Sequence, residues 1–417
     1  MRSTVTVLAA ALVAPSHGMA LPTPLTKSVT ASLLTQHFGP PQPLTLASGW
    51  TGAERIGIAG IDEAVNSSAC MSRRLHHLPN LLSDAERASL VDELEQRAGT
   101  FDTELDTVDA QATFMCRVVE GGAIMDGDLI ASVAPVCERL SAFVRERFEC
   151  DSACISEVLI RRYLPTERRR LEAHFDVSSF ATAIVSLSDA SEYEGGLYVQ
   201  GVPGAPSRRY VALAAGDGLV HRFDTMHGVH VPSGARYSLV VWFSESEGSL
   251  QEGSAPWVQR AAEAGNAEAQ FVLGGFHYRG DEFGYGPSDL SKAVRWLAAS
   301  ARQGNALAQV HLASMIGAGE VDDTLRHRAL GEALPEYDVS DDHDGLSAAA
   351  ELYTLAADQG HPSAQYALGR CYLHGEGVDK DENTAREWLT KAAAQGKDEV
   401  VAAAWASDEL EALDEKG

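Results

Sequence analysis

The period of hydrophobic and polar positions changes twice along the chain, and each change marks a different kind of element. Upstream of residue 150 apolar residues recur at helical spacing. This predicts a helix from Asp84 to about Arg97 and a second from about Asp126 to Phe148. Ser83-Asp84-Ala85-Glu86 heads the first with a capping box, an N-cap hydroxyl followed three residues later by a carboxylate. Residues 101–119, between the helices, have room for short strands. From Ile155 short β-rich runs alternate with turns of Gly, Pro, Ser and Asp. Strands are expected at 155–163, 172–176, 180–187, 196–200, 209–214, 218–223, 227–231 and 235–243. So many short, regularly interrupted strands predict a barrel or sandwich of jelly-roll type, with the two helices packed on one face.

After Ser246 the pattern becomes Ala-rich helices carrying an internal repeat. Ala262-Glu-Ala-Gly265-Asn-Ala-Glu-Ala-Gln returns as Ala301-Arg-Gln-Gly304-Asn-Ala-Leu-Ala-Gln and as Ala357-Asp-Gln-Gly360-His-Pro-Ser-Ala-Gln. A worn fourth copy starts at Ala394-Gln-Gly396. The marker glycines are spaced by 39, 56 and 36 residues. The long step contains an acidic insert at about 320–345, expected to be a loop. Each unit reads as helix, Gly turn, helix, with the glycine at a helix C-terminus where positive φ is needed. Such a unit cannot bury its apolar stripe alone and must stack on its neighbours. Trp257, Trp296 and Trp388 fall on these helices as expected core. Together with Tyr372-Leu-His-Gly-Glu-Gly-Val-Asp379 and Trp388-Leu-Thr-Lys-Ala-Ala, the units resemble Sel1-like repeats of the tetratricopeptide class over residues 254–398. The resemblance implies an all-α solenoid whose concave surface holds a protein partner. Residues 399–417 are expected to be a tail.

Composition and charge narrow the partners. The chain has 417 residues, is 45% apolar and carries a formal net charge of -26. That acidity disfavours nucleic acid and anionic membranes, which need a basic footprint. At the N-terminus, Arg2, the apolar run Val5 to Val13 and Gly18-Met19-Ala20 read as a signal peptide at 1–20, with a secretory or other organellar destination. An organellar transit peptide or a frayed Ala-rich end is the other reading. The run is too short to span a bilayer, and no other stretch is long and apolar enough. Residues 21–74 are rich in Pro, Gly, Ser and Thr and read as a linker. The six cysteines, Cys70, Cys116, Cys137, Cys150, Cys154 and Cys371, match no zinc spacing. Cys150 and Cys154 could pair across a turn or stay free.

Candidate chemistry sits among the strands. In His174-Phe175-Asp176 the imidazole and the carboxylate, two residues apart on a strand, point to one face. A further histidine would complete two imidazoles and one carboxylate on one face of a metal, the arrangement of non-haem Fe(II) oxygenases. His221, His227 and His230 compete for that place. If Arg236 lies across a hairpin with a two-residue loop, His227 shares its face; a three-residue loop, Pro232-Ser-Gly234, favours His230. His221 reads as barrel wall or substrate rim. Arg236 offers the guanidinium best suited to a bidentate carboxylate pair.

The order of these pieces resembles the prolyl 4-hydroxylase-like branch of the 2-oxoglutarate oxygenases over residues 75–246, with a jelly-roll core at 155–245. The motifs are Leu78-Pro-Asn-Leu-Leu-Ser83, Ile160-Arg-Arg-Tyr163-Leu-Pro165, His174-Phe-Asp176, Gly195-Gly196, Gly216-Asp-Gly218, His227-Gly-Val229 and Gly234-Ala-Arg236-Tyr-Ser238-Leu-Val-Val-Trp242. The resemblance implies an α+β chain: a double-stranded β-helix oxygenase domain with supporting helices, then the solenoid. It implies iron on His174, Asp176 and His227, with Arg236 on the distal carboxylate of 2-oxoglutarate. Tyr163 would help with the same carboxylate, or is a packed strand tyrosine, and Ser238 would add a hydrogen bond. The stretch Thr166–Arg170 is longer than the family pattern. Implied too are Fe(II), 2-oxoglutarate and O2, with ascorbate as reductant, and hydroxylation of a peptidyl residue, proline favoured. Alternatives are a small-molecule oxygenase and a scaffold with an inactive barrel. Outside this set, Glu167-Arg168-Arg-Arg170 reads as a solvated loop or a steering patch for acidic substrates. Asp341-Asp-His343-Asp344 reads as disordered loop or cation site, and His76-His77 as exposed.

Overall fold

The computed structural model describes residues 75–97, 101–106, 108, 111–201, 208–280, 285–338, 345–396 and 401–415. The expected leader and linker, Cys70 and Asp341–Asp344 lie outside them. The chain divides into two compact units, with the main boundary after Gly253 and Gln200–Arg208 grouped with the second.

The first unit is built on twelve described strands: β1 (Leu75–Leu78), β2 (Asp102–Leu105), β3 (Ala112–Glu120), β4 (Ala123–Ile124), β5 (Cys154–Tyr163), β6 (Arg170–His174), β7 (Ala181–Ser186), β8 (Gly196–Val199), β9 (Arg209–Tyr210), β10 (Gly218–Arg222), β11 (His227–His230) and β12 (Arg236–Ser244). The larger sheet runs β1-β10-β7-β12-β5-β3-β2, with β4 on β3; the smaller runs β6-β11-β8-β9. All pairs are antiparallel. From β5 onward the chain steps between the two sheets, so that β5, β7, β10 and β12 face β6, β8, β9 and β11. This pairing is a double-stranded β-helix, the expected jelly roll. Leu171, Leu197, Val199 and Val229 of the smaller sheet and Tyr163, Ile184 and Leu219 of the larger form one buried cluster between them.

Helices α1 (Asp84–Gln96) and α2 (Leu129–Arg147) precede the β-helix, within a few residues of the expected bounds. Both halves of the Ser83–Glu86 capping box are present. Strand β1 was not foreseen. It adds Leu75–Leu78 to the sheet edge at β10, and Asp217 fixes it there: its carboxylate accepts from Asn80 N at 2.9 Å and lies 2.8 Å from His77 Nε2. His76 is half-buried, its ring edge-on to Phe143 and Phe148, so the reading of both histidines as exposed holds only for His77.

The segment Glu167–Arg170 is not a solvated loop. Glu167 and Arg162 form a buried ion pair at 2.6 Å, Arg168 reaches Asp106 at 3.1 Å, and Arg169 donates to the carbonyls of Pro165 and Pro232. The extra length is taken up by these ties. Cys150 and Cys154 carry free thiols. A short helix, α3 (Glu247–Glu252), closes the unit.

The second unit holds α4 (Pro256–Glu263), α5 (Ala267–Arg279), α6 (Leu290–Arg302), α7 (Ala306–Gly317), α8 (Asp323–Ala333), α9 (Leu346–Asp358), α10 (Pro362–His374), α11 (Glu382–Ala393) and α12 (Val401–Asp414). The marker glycines Gly265, Gly304, Gly360 and Gly396 have φ of 90°, 87°, 87° and 96°, a left-handed turn that an L side chain resists. Asn266, Asn305 and His361 directly follow three of them and cap α5, α7 and α10. A glutamine ladder ties the repeats together. Gln270, Gln309 and Gln365 donate to the carbonyls of Ala262, Ala301 and Ala357. They accept in turn from Gln303, Gln359 and Gln395 of the next repeat. Trp257 and Trp296 are buried, and Trp388 packs against the core.

Two expectations fail here. The acidic insert is not all loop, because α8 crosses it: Asp322 caps the helix and Ala329, Leu330 and Ala333 are buried. The expected tail is mostly α12, which buries Ala402, Ala403 and Ala406 and completes the worn fourth repeat. Among the described residues, no helix is long and apolar enough to cross a membrane.

Two buried histidines make this unit sensitive to acid. Burial pushes His361 and His311 down to about 4. His361 Nδ1 accepts from Ala364 N at 3.4 Å, which only the unprotonated ring can do. Between pH 6.5 and 4 the unfolded chain binds protons that the folded one refuses, so stability is full above 6.5 and falls as pH drops toward 4. Thermal unfolding followed by circular dichroism should show a lower melting temperature at pH 5 than at pH 7.5. His361→Asn, which keeps a capping oxygen without a titrating group, should shrink that difference.

Candidate metal centre

Strand β6 pairs with β11 so that His174 stands opposite His227, with ring centroids 4.6 Å apart. Gly228 permits that close pairing. A Cβ there would collide with the Tyr198 hydroxyl and lie 2.7 Å from the Leu171 carbonyl oxygen. Asp176 follows two residues after His174, just past the end of β6 rather than on the strand. Its Oδ1 lies 3.3 Å from His174 Nε2 and its Oδ2 lies 3.5 Å from His227 Nε2. One donor atom from each residue fits within a 4.8 Å cluster. Three ligands at right angles around one metal, each about 2.1 Å from it, stand about 3 Å apart, so the arrangement suits an octahedral cation with one face open.

The surroundings prepare each donor. His174 Nδ1 lies 2.8 Å from the carbonyl oxygen of Glu172 and His227 Nδ1 lies 3.1 Å from that of Thr225. A carbonyl only accepts, so each Nδ1 carries a proton and each Nε2 lone pair turns to the site. Asp176 Oδ2 accepts from Thr182 Oγ1 at 2.7 Å and Trp242 Nε1 at 3.3 Å.

Electrostatics follow from burial. Asp176 is 8% exposed. Burial alone would raise its carboxyl, but the imidazoles of His227 and His174 outweigh that and hold it well below the usual range. Burial, with His221 beside it, keeps His227 well below 6.5 and therefore neutral. For His174 burial lowers, but the hydrogen bond and charge of Asp176 prevail and raise it. The lone pair that holds that proton is the one a divalent cation takes.

Arg236 opens β12 and is 1% exposed. Its Nη1 donates to Ser238 Oγ at 3.2 Å, its Nε has no partner, and no carboxylate pairs with it among the described residues. The guanidinium carbon lies 6.0 Å from the Tyr163 ring and 5.9 Å from that of Tyr193. Arg236, Tyr163 and Ser238 line one cavity with the three donors. Leu171, Ile184, Val229 and Val240 complete its apolar walls, around about 370 Å³ of empty space that includes its open mouth.

The other histidines stand apart. His230 bonds Tyr210 and does not line the cavity. His221 is fully buried wall, 4.3 Å from the His227 ring, and not rim. The hairpin premise used to choose among them is wrong: β11 pairs in the smaller sheet and β12 in the larger. Sequence reasoning also missed Thr182, Trp242 and Arg161. Trp242 had a signal, since Arg236, Ser238, Val240 and Trp242 alternate along one strand and all line the cavity.

Comparison with family models matches the Sel1 repeat at residues 267–305, 344–361 and 362–397. The second unit carries Sel1 repeats. A Sel1 repeat protein from Oxalobacter formigenes is 33% identical over 37% of this chain and 96% of its own, with a TM-score of 0.28. Over the first unit the chain is similar to an oxidoreductase of the 2OG-Fe(II) oxygenase family from Burkholderia pseudomallei, 20% identical over 47% of this chain and 95% of that one, with a TM-score of 0.34. It is also similar to a Pseudomonas putida prolyl-4-hydroxylase, 16% identical over 45% and 98%, with a TM-score of 0.33. No curated protein matches the chain.

Thr182→Val keeps the side-chain shape and removes one hydrogen bond to Asp176. Divalent metal binding, followed by calorimetry, should weaken about tenfold while thermal stability stays close to wild type. Unchanged affinity would mean that Thr182 does not orient the carboxylate.

Proposed function

We propose that the first unit is an Fe(II)- and 2-oxoglutarate-dependent oxygenase that hydroxylates a C–H bond. One observation carries this reading. A largely buried set of two imidazoles and a carboxylate opens onto the cavity that also holds Arg236, a buried guanidinium with no carboxylate partner among the described residues. Two histidines and one carboxylate suit Fe(II) with open positions. A guanidinium lacking its anion suits the distal carboxylate of 2-oxoglutarate.

When bound, Fe(II) and 2-oxoglutarate supply O2 activation coupled to decarboxylation to succinate and CO2. The chain supplies placement. His174, Asp176 and His227 hold the metal, and Thr182 and Trp242 fix the carboxylate that does so. Arg236 anchors the co-substrate, with Ser238 and Tyr163 beside it. The apolar walls keep water from the reacting centre. No side-chain base is required, and ascorbate would keep the iron reduced. A peptidyl substrate, proline favoured, fits the resemblance of the motifs, and the Sel1 unit would hold a protein partner. A secretory or other organellar destination follows from residues 1–20.

Anaerobic titration with Fe(II) and 2-oxoglutarate should produce a visible charge-transfer band in the wild type. His174→Ala should abolish it, and Arg236→Ala should raise the 2-oxoglutarate concentration needed by about tenfold or more. A folded wild-type protein without the band would refute the oxygenase reading.

A further inference from the structure

Two glycine motifs of the barrel, Gly195-Gly196 and Gly234, hold no metal donor, yet they come together at the foot of Arg236. Tyr193 forms an isolated antiparallel bridge with Gly234, two residues before Arg236. Glu194 N donates to the Ser233 carbonyl at 3.0 Å, and Ala235 N donates to the Glu192 carbonyl at 3.3 Å. Gly234 has a φ of 79°, and a Cβ there would collide with the Glu192 carbonyl oxygen and lie 2.6 Å from Tyr193 Cα. A Cβ on Gly196 would lie 2.8 Å from Tyr193 Cε2. The two glycines thus admit the backbone of residues 192–194 and the Tyr193 ring against the start of β12.

Tyr193 is 4% exposed and stands outside the cavity lining, so it acts on Arg236 rather than on a ligand. The guanidinium carbon lies 5.9 Å from the centre of the Tyr193 ring. It lies 6.0 Å from that of Tyr163, which stands opposite Arg236 on β5. An aromatic face attracts a cation, more strongly where water is excluded, and takes none of its N–H donors. A carboxylate in the same place would pair with Arg236 and compete with any anion that enters. Rings therefore support the charge while the donors stay available.

We infer that Tyr193 is a positioning residue for the co-substrate anchor: it holds the Arg236 guanidinium in place without neutralising it, and so makes the site select 2-oxo acids that carry a distal carboxylate. The inference rests on the oxygenase reading and deepens it. Tyr163 is the less clean probe, because its hydroxyl also bonds Arg161.

The test uses the full chain, anaerobic and with Fe(II), and reads the charge-transfer band without turnover. 2-Oxoglutarate is compared with 2-oxovalerate, which has the same chelating 2-oxo acid group but ends in a methyl group. Tyr193→Leu should raise the 2-oxoglutarate concentration needed about fivefold and leave that of 2-oxovalerate unchanged. Tyr193→Phe keeps the ring and should stay within about twofold of wild type. Should Tyr193→Leu not fold, fluorinated phenylalanines at position 193 decide the matter, since they keep the ring's shape and withdraw charge from its face. Each added fluorine should raise the 2-oxoglutarate requirement, while Fe(II) affinity by calorimetry stays constant. Equal rises for both acids, or a flat fluorine series, would overturn the inference and leave Tyr193 as packing alone. Absence of a band with either acid in folded wild type would strike the oxygenase reading, and this inference with it. A normal band that ignores position 193 would strike the inference alone.

Discussion

A carboxylate buried between two sheets is the constraint on which the first unit turns. Placing Asp176 in an apolar interior costs several kcal/mol unless hydrogen bonds and opposite charge compensate. The compensation comes from both sheets. His174 and His227 come from the paired β6 and β11 of the smaller sheet, and Thr182 and Trp242 from β7 and β12 of the larger. The site therefore exists only when both sheets have closed, and it sits where their apolar layers give way to polar ones.

The larger sheet also places two arginines in the cavity lining. Arg236 and Ser238 alternate along β12, and Tyr163 and Arg161 face them in register on β5. One strand pair therefore carries two guanidiniums two residues apart on the same face. Arg236 has aromatic rings around it and, among the described residues, no carboxylate; Arg161 has Asp106, which Arg168 also reaches. Similar side chains on one sheet face thus acquire different chemistry from what lies behind them.

The second unit solves a different problem. Each helix pair must find its core in a neighbour, and the repeats do so with small apolar residues and one recurring polar element. The glutamine ladder satisfies carbonyls at the end of one helix and passes a hydrogen bond to the next repeat. The caps Asn266, Asn305 and His361 occupy equivalent positions, and of the three only His361 carries a titrating group.

Much of this was legible because it is local. Short β-rich runs between turns became strands, the Ser83–Glu86 box began a helix, and the marker glycines turned with positive φ, since backbone sterics and capping act within a few residues. Helices α8 and α12 were missed because acidic sequence there hides a few buried alanines and leucines. The Glu167–Arg170 segment was misread because its charges look solvated until Arg162, Asp106 and the carbonyls of Pro165 and Pro232 are seen around them. The choice of His227 over His230 shows the boundary best. Alternation along a strand says which residues share a face, and that much the sequence determined. It cannot say which strand lies across, and the hairpin assumed between β11 and β12 does not form. Only the tertiary structure, by sending β11 to one sheet and β12 to the other, decided that His227, Asp176 and Arg236 meet in one cavity and that Arg161 joins them. Pairing between distant strands depends on closing long loops and burying a shared core, and no local window of sequence contains that free energy.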